Sequence, residues 1–335
     1  MRSALSGIHA APASRRRAGD GVSGAVSPRA ISRYAQERIG TGLAHLVAAQ
    51  DADGLWRDYA LNPGPSEGWS TSWIGWHVLQ LAPRPACVAA VRRAATMLLR
   101  VRGADGWGYN RGAGADADST AWALRFMRRA GVRCGQAEGE RLSRYVDREG
   151  RAHTFEGAQH GTWSNAHDDV TPVVGLALLS CDGRSEALMR IRAAVANAQR
   201  ADGLWTSFWW ASDLYASFWS VYFLRRAGGL QQGASERIRA HLPSVPEPRC
   251  AMEEALWLLL ALELELPDRS LMERRVDRLL EMSTAQGWSG SPLLLVPMRF
   301  EGDAASPPGP HADERGLMTT AVACWALARW DARST

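Results

Sequence analysis

Two seven-residue stretches decide the fold: Gln50-Asp51-Ala52-Asp53-Gly54-Leu55-Trp56 and its near copy, Gln199-Arg200-Ala201-Asp202-Gly203-Leu204-Trp205. A glycine after an aspartate permits the positive φ with which a helix reverses into a loop. The glutamine can cap free backbone groups at a helix end, and the indole can cover that end. We therefore interpret each stretch as a turn between two helices, and its glutamine and tryptophan as structural residues.

Weaker copies of this turn recur at a spacing of about fifty residues, at 105–107, 159–163 and 286–288, with one copy missing before the last. Each copy follows an amphipathic, arginine-rich helical pattern and precedes an apolar, tryptophan-rich one. The amphipathic patterns cover 30–49, 84–101, 137–149, 184–199, 233–242 and 268–283. The apolar patterns cover 70–82, 118–131, 169–181, 213–227, 250–265 and 314–331. Six outer and six inner helices in strict alternation predict an all-α fold, the (α/α)6 toroid or double-layered helical barrel.

Composition limits what else the chain can be. Residues 1–28 are rich in Arg, Ala and Gly, and we interpret them as a disordered tail before a single toroid domain over 29–335. No apolar stretch fits a cleaved signal peptide or a membrane-spanning helix. Five scattered cysteines without a C-x-x-C pair suggest reduced thiols and a cytoplasmic protein. The 39 basic residues, all arginine, are interspersed with 35 acidic ones, so the net charge of +4 does not indicate nucleic-acid binding.

The Gln…Gly-x-Trp turns resemble the QW repeats of triterpene cyclases, the squalene-hopene cyclase-like toroids, and of prenyltransferase β subunits. The stretch Asp116-Ala117-Asp118-Ser119-Thr120-Ala121, which follows a Gly-Trp turn, resembles the D-x-D-D-T-A motif of class II terpene cyclases. In that family the middle aspartate is the acid that protonates an alkene or an epoxide, and by position it is Asp118. The chain departs from the family in carrying Ser119 in place of the last aspartate, and in having length for only one toroid.

The motif also has a structural interpretation, because aspartate, serine and threonine cap helix starts. One cap needs one acceptor, and this motif has more polar groups than that. Burial and a neighbouring carboxylate would raise the pKa of one aspartate, so that Asp116 and Asp118 could share a proton. His167 or Asp169, at the start of the next inner helix, could orient the pair.

Acidic residues begin the other inner helices as well, which predicts a ring of carboxylates at one mouth of the barrel, with helix capping as the alternative. The further members of this ring are Glu67, Asp168, Asp213, Glu253, Glu254, Asp313 and Glu314.

Fifteen tryptophans suit a cavity for cationic intermediates, because indole faces stabilise carbocations. Packing within the toroid is the alternative for each of them. The predicted wall and substrate-binding residues are Tyr109, Trp122, Trp209, Trp210 and Tyr215. The long loop 289–313 is predicted to cover the acidic mouth, where Arg299 and Arg315 could meet a diphosphate.

Together these features predict a class II-type terpene cyclase, an isomerase that cyclises a linear isoprenoid by protonation in an aromatic-lined cavity. The expected substrate is a polyprenyl diphosphate or a related polyene. We expect no cofactor and no zinc site, and Mg²⁺ only if the substrate is a diphosphate. Squalene-type relatives dock on membranes, but no apolar surface helix indicates membrane contact here. Three alternatives stay open: a non-catalytic toroid that binds a lipid, peptide or partner protein, one subunit of a split cyclase with a partner toroid, and a sugar-processing toroid.

Overall fold

The computed structural model describes residues 28–81, 84–133, 136–181, 185–300 and 309–334. The predicted disordered tail lies outside these ranges up to residue 27, and so does the segment 301–308 of the predicted long loop.

The described residues form twelve α-helices that alternate between an outer and an inner layer. The outer helices are α1 (Pro28–Ala48), α3 (Pro85–Val101), α5 (Gln136–Ser143), α7 (Glu186–Asn197), α9 (Gln232–His241) and α11 (Arg269–Glu281). The inner helices are α2 (Gly68–Val78), α4 (Ala117–Arg129), α6 (Thr171–Cys181), α8 (Asp213–Arg226), α10 (Ala251–Leu264) and α12 (Leu317–Ser334). Each inner helix contacts the next, and α12 contacts α2, so the inner ring closes. The predicted (α/α)6 toroid is confirmed.

Three predicted boundaries differ from the structure. Helix α5 ends at Ser143 rather than at 149, because the chain turns there and Val146 pairs with Ala152 as an isolated bridge. Helix α12 begins at Leu317 rather than at 314, since Gly316 adopts a φ of +65° that a helix does not accommodate. The predicted loop 289–313 contains strand β3 (Pro292–Leu294), which pairs with β4 (His311–Ala312); β1 (Ala60–Leu61) and β2 (Gly64–Pro65) form another short hairpin.

The first turn signature works as the sequence predicts. Gly54 has a φ of +90°. The Gln50 amide donates to the backbone oxygens of Gly54 and Ala90, both at 2.8 Å. The Trp56 indole donates to the Leu46 oxygen near the end of α1, at 2.7 Å. Gln199 and Trp205 repeat these contacts in the fourth repeat, which confirms the structural role of both residue types there.

Two tryptophans depart from this pattern. In the fifth repeat, where the turn signature is missing, Trp257 of α10 donates to the Leu242 oxygen after α9 and takes over the same contact. The copy at 159–163 forms a turn, with Gly161 at a φ of +57°, but its tryptophan does not cover the end of an outer helix as predicted. Its Trp163 donates to the Pro297 oxygen instead of an outer helix, and it lines the cavity described below.

A hydroxyl near the start of an inner helix fastens the preceding turn. Thr120 accepts a hydrogen bond from the backbone N–H of Trp107 and donates one to its oxygen, both at 3.0 Å. Thr71, Thr171, Ser217 and Thr320 accept from the corresponding turns in other repeats. The threonine of the aspartate motif is therefore part of the toroid scaffold.

A central aromatic cluster fills the interior of the inner ring. His77 lies in it, with its ring centroid 3.8 Å from that of Trp73, and the other members are Trp76, Trp122, Trp219 and Trp325. These rings pack against one another, and none of them lines the cavity described in the next section. Within the described part of the chain, none of the helices has both the length and the apolar character of a membrane span.

Candidate active site

A cavity opens beside the N-terminal ends of α4 and α6. It contains about 970 Å³ of space that no atom occupies, its open mouth included. Its wall is mostly apolar and carries six aromatic side chains: Trp69, Tyr109, Phe155, Trp163, Trp209 and Trp210. Three carboxyl groups also line it, those of Asp116, Asp118 and Asp169.

Asp118 lies in the first turn of α4 and reaches the cavity wall. Its Oδ2 accepts a hydrogen bond from the Trp69 indole at 2.9 Å. Its Oδ1 is buried and has no hydrogen-bond partner among the described residues. A buried oxygen without a partner is an unfavourable position for a negative charge and a suitable one for a proton.

Burial raises the pKa of Asp118 well above its usual range, and the charges of Asp116 and Asp169 raise it further. The hydrogen bond from Trp69 and the charge of Arg125 act in the opposite direction. Burial and the neighbouring carboxylates thus favour the protonated form of Asp118, which is the state that a proton donor requires.

Asp116 caps helix α4. Its Oδ1 accepts from the backbone N–H of Ser119, and its Oδ2 accepts from the Ser119 hydroxyl, both at 2.7 Å. Burial raises the pKa of Asp116 to about 6, while these hydrogen bonds from Ser119 lower it. Ser119 thus donates to both carboxylate oxygens of Asp116, and no hydrogen bond joins the side chains of Asp116 and Asp118. The structure therefore does not show the predicted sharing of a proton between these two carboxyls. Asp116 acts on Asp118 through its charge, and the capping interpretation holds for Asp116.

Asp169 precedes α6 and anchors the loop that carries two wall residues. Its Oδ2 accepts from the backbone N–H groups of Phe208 and Trp209 at 2.9 and 2.7 Å. Its Oδ1 is buried without a partner among the described residues, and burial raises the pKa of this carboxyl to about 7. Asp169 thus positions Trp209 and Trp210 while it presents a second buried carboxyl to the cavity.

His167 does not take the predicted position beside the aspartate pair. Its ring stacks on Phe208, with centroids 3.7 Å apart, and its Nε2 lies 3.1 Å from the Thr162 oxygen. Burial lowers the pKa of His167 to about 4, so the ring is neutral. It is not among the residues of the cavity wall.

The predicted wall residues divide into two groups. Tyr109, Trp209 and Trp210 line the cavity. Trp122 belongs to the central aromatic cluster, and Tyr215 lies behind Trp210 with ring centroids 4.2 Å apart. Neither of the last two lines the cavity: Tyr215 supports the wall residue Trp210 from behind, and Trp122 packs against the other rings of the central aromatic cluster.

The described part of the predicted covering loop does lie at the cavity. Leu294, Leu295 and Val296 line the wall. The Arg299 guanidinium lies 5.1 Å from the centroid of the Trp163 ring. Arg315 lies elsewhere: its guanidinium donates to Asp51 at 3.0 Å and to the Ala49 oxygen. The structure therefore does not bring Arg315 to the cavity, where the sequence analysis expected it.

The predicted ring of carboxylates reduces to the three that line the cavity. None of the other members lines the cavity, and several of them form ion pairs. Glu67 pairs with Arg57 and Arg111, and Asp213 with Arg200, at distances from 2.6 to 2.9 Å. Glu254 pairs with Arg275 of α11 at 3.3 Å, on the side facing the outer layer.

Sequence reasoning missed Phe155, Trp163 and the segment 294–296 as wall residues, and it missed Arg125 beneath the wall. Loop residues of distant repeats meet only in the folded chain, so period and composition gave no signal for them. One sequence feature could have identified Arg125, because it is a charged residue within an otherwise apolar stretch of α4. Within the described ranges, no cluster of three or more His, Cys, Asp or Glu side chains could hold a metal ion.

Comparison with known proteins identifies structural relatives only. No protein-family model matches the chain, and no curated protein matches its sequence. The type II terpene cyclase MstE from Scytonema is similar in structure, with a TM-score of 0.76 and 22% identity over 90% of this chain and 99% of that chain. Variants of MstE were solved with geranylgeranyl dihydroxybenzoate as substrate and with merosterolic acid A as product.

A protein from Actinoplanes matches with a TM-score of 0.75 and 24% identity, over 88% of this chain and 99% of that chain. An unsaturated glucuronyl hydrolase specific for heparin matches with a TM-score of 0.59 and 11% identity, over 89% of this chain and 97% of that chain. The chain thus has a single-toroid fold, and proteins with different activities share that fold. Function must be argued from the site.

Proposed function

We propose that the protein is a class II-type terpene cyclase that starts the cyclisation of a linear isoprenoid by protonation. The observation that carries this proposal is Asp118, a desolvated carboxyl on the wall of an aromatic cavity, with one oxygen bound by Trp69 and the other without a partner among the described residues. A cap or a surface carboxylate would be solvated or fully hydrogen-bonded, and Asp118 is neither.

The reaction needs no group beyond the chain and its substrate. Asp118 gives its proton to one carbon of a terminal alkene, or to the oxygen of an epoxide, and is left as a carboxylate. The adjacent carbon becomes a cation, which the next double bond attacks to form a ring. A proton is finally lost from carbon to a base, so the product is an isomer of the substrate.

The wall suits such a sequence. The indole and phenol faces of Trp69, Tyr109, Trp163, Trp209 and Trp210 can stabilise successive cations by about 0.5–2 kcal/mol each. The same apolar wall excludes water, which would otherwise trap a cation as an alcohol. The apolar, aromatic wall and the MstE complexes support a polyprenyl chain as the substrate.

The charges of the cavity wall limit which head group the substrate can carry. No basic side chain lines the cavity among the described residues, and the sequence of the segment 301–308 contains none. Three carboxyls in the wall would repel a diphosphate placed beside them. We therefore favour a substrate whose isoprenoid end lies at Asp118 and whose head group stays at the mouth, near Arg299, and we assign no role to Mg²⁺.

The alternatives receive less support. MstE matches over 99% of its chain, so a single toroid is sufficient for a solved type II terpene cyclase and a partner toroid is not required. The apolar wall fits a sugar poorly, since sugars need many hydrogen-bonding groups. A lipid-binding toroid without activity would have no use for the desolvated Asp118.

The test compares the wild type with Asp118→Asn on farnesyl and geranylgeranyl diphosphates, squalene-type polyenes and geranylgeranyl dihydroxybenzoate, with products identified by mass spectrometry. The wild type is expected to form a cyclic isomer, and Asp118→Asn to form none, because the amide has no acidic proton to give. Asp213→Asn is the matched control, because Asp213 begins the inner helix α8 but pairs with Arg200 away from the wall. No cyclic product from any substrate, or equal product from Asp118→Asn, would rule the proposal out.

A further inference from the structure

Arg125 lies in the central aromatic cluster. It follows Asp118 by seven residues on α4, which places it about 10 Å further along the helix, toward the C-terminal end. Its guanidinium carbon lies 4.2, 4.3 and 4.6 Å from the ring centroids of Trp122, Trp76 and Trp219. Only 4% of Arg125 is exposed, and it does not line the cavity.

The position of this charge is costly. No carboxylate forms an ion pair with Arg125 in the described part of the chain, and its Nη1 is buried without a hydrogen-bond partner. Indole faces offset only part of the cost of removing a cation from water. A methionine would fill a similar volume without that cost, and such replacements of buried charges are often neutral or stabilising. Packing alone therefore does not account for an arginine at this position.

We propose that Arg125 is a positioning residue for the proton transfer, whose fixed positive charge strengthens Asp118 as an acid. This inference rests on the proposed function. Along the axis of the toroid the order is Arg125, then Asp118, then the cavity with the substrate. Proton transfer leaves a carboxylate at Asp118 and moves positive charge toward the mouth, away from Arg125. The guanidinium stabilises the nearer carboxylate more than it repels the more distant carbocation.

Other groups near Arg125 do not replace this effect. Burial lowers the pKa of His77 to about 3, so it is uncharged. The remaining ionisable groups that act on Arg125 or Asp118 are Tyr215, Tyr222 and Arg226 of α8, Asp116 at the start of α4 and Asp169 before α6. The two aspartates oppose formation of the Asp118 carboxylate. The positive charge of Arg125 acts against this effect of the two aspartates on Asp118.

The test measures cyclisation rate and thermal unfolding of Arg125→Met on the substrate that the wild type accepts. We expect an unchanged or higher Tm together with a rate that falls about tenfold, because one unit charge is removed from behind Asp118 in an environment of intermediate dielectric. A structural role would give the opposite: a lower Tm and a normal rate per folded molecule. Arg128→Met is the matched control, because Arg128 is on the same helix but donates to the Ser180 oxygen at the surface.

Two further measurements separate charge from shape. Arg125→Lys keeps the charge and should retain most of the rate. In Arg125→Met the alkaline limb of the pH–rate profile should move to higher pH, because Asp118 becomes a weaker acid. The inference is overturned if Arg125→Met fails to fold or keeps the wild-type rate, or if Arg125→Lys is as slow as Arg125→Met. A wild type without activity would instead overturn the proposed function.

Discussion

Ser119 occupies the position of the last aspartate in the D-x-D-D-T-A motif that this stretch resembles, and its contacts hold Asp116 in place. Its backbone N–H and its hydroxyl both donate to Asp116. Asp116 is thereby held as a helix cap, with one fewer negative charge beside Asp118 than an aspartate at 119 would bring. A serine at this position keeps the cap and makes Asp118 easier to ionise when it gives up its proton.

Trp69 contributes an N–H donor to Asp118 as well as an aromatic face to the cavity. Trp69→Phe keeps a ring and removes the donor that stabilises the Asp118 carboxylate. We expect the cyclisation rate to fall roughly tenfold, because hydrogen bonds to charged groups contribute about 1.5–3 kcal/mol. The pKa of Asp118 rises further, so activity should persist to higher pH than in the wild type.

Trp210→Phe is the control for this prediction, because Trp210 lines the same cavity and has no hydrogen bond to Asp118. Trp210→Phe is expected to change the rate without moving the alkaline limb of the pH–rate profile. If both variants have the same profile, the indole N–H of Trp69 does not influence Asp118.

At the scale of the elements, the two ends of the inner helices are stabilised differently. Their N-terminal ends carry capping aspartates and serines, such as Asp116 and Ser212. Near their C-terminal ends, arginines from neighbouring helices donate to backbone oxygens: Arg128 to Ser180 and Arg225 to Glu263. Negative groups at one end and positive groups at the other complement the helix dipoles. The arginine-rich composition therefore has a structural use in the barrel.

The turns between layers depend on glycines that no other residue can replace well. Gly203 has a φ of +86°, and a Cβ there would lie 2.7 Å from the Ile238 backbone nitrogen. We expect Gly203→Ala to lower the free energy of unfolding by about 3 kcal/mol, from the unfavourable φ and the overlap together. Chemical denaturation measures this loss.

Gly228→Ala separates the two contributions. Gly228 has a φ of +67°, but a Cβ there would meet no atom within 4 Å. Its alanine variant should lose only about 1 kcal/mol, the cost of the backbone conformation. Equal losses in the two variants would mean that the close approach to Ile238 does not matter.

For the whole molecule, closure of the ring depends on a contact between the first and last repeats. Asp58 accepts from the backbone N–H groups of Arg315 and Met318 at 2.8 and 2.7 Å, and so caps α12 from across the junction. Asp313 caps the same helix through Thr319 at 2.8 Å. Burial raises the pKa of Asp313, and the neighbouring Asp58 raises it further. The junction therefore holds a proton that the unfolded chain would lose.

This protonation gives stability a definite dependence on pH. Burial raises the pKa of Asp169 and of Glu254 to about 7, and Asp118 and Asp313 shift in the same direction. Between about pH 6.5 and 8.5 the folded state binds more protons than the unfolded state, so the free energy of unfolding falls as pH rises. His77 and His167, whose pKa values are lowered, oppose this trend near the lower edge of the window, where an unfolded histidine with a pKa of 6.5 is still partly protonated. The carboxyls outnumber them, so the direction of the trend stays the same. We expect Tm to decrease steadily from pH 6.5 to 8.5.

Scanning calorimetry or fluorescence-monitored melting in a series of buffers measures this slope. Asp313→Asn should reduce it, since the variant has one fewer group to deprotonate. A Tm that stays constant or rises over this range would show that these carboxyls are not protonated in the folded protein.

The sequence predicts the architecture well because the toroid is built from local signals. Helix period, turn glycines and indoles that cap the preceding helix act within one repeat, and most of the repeats carry them. Gln50 with Trp56, and Gln199 with Trp205, make the predicted contacts within about fifty residues of chain. The same locality identifies Asp118, because the motif lies within one turn and one helix start.

Only the tertiary structure decides what surrounds Asp118. The cavity wall joins residues of the first, second, third and fourth repeats with a strand before α12, and no periodicity relates their positions. The tertiary structure also separates Asp169, which reaches the cavity wall, from His167, which does not, although the two residues are close in the chain. It turns Trp163 into the cavity and Arg315 away from it, and it encloses Arg125 beneath the acid. The turns and helices follow from local chemistry, whereas the acid strength of Asp118 follows from desolvation and charges that only the closed ring brings together.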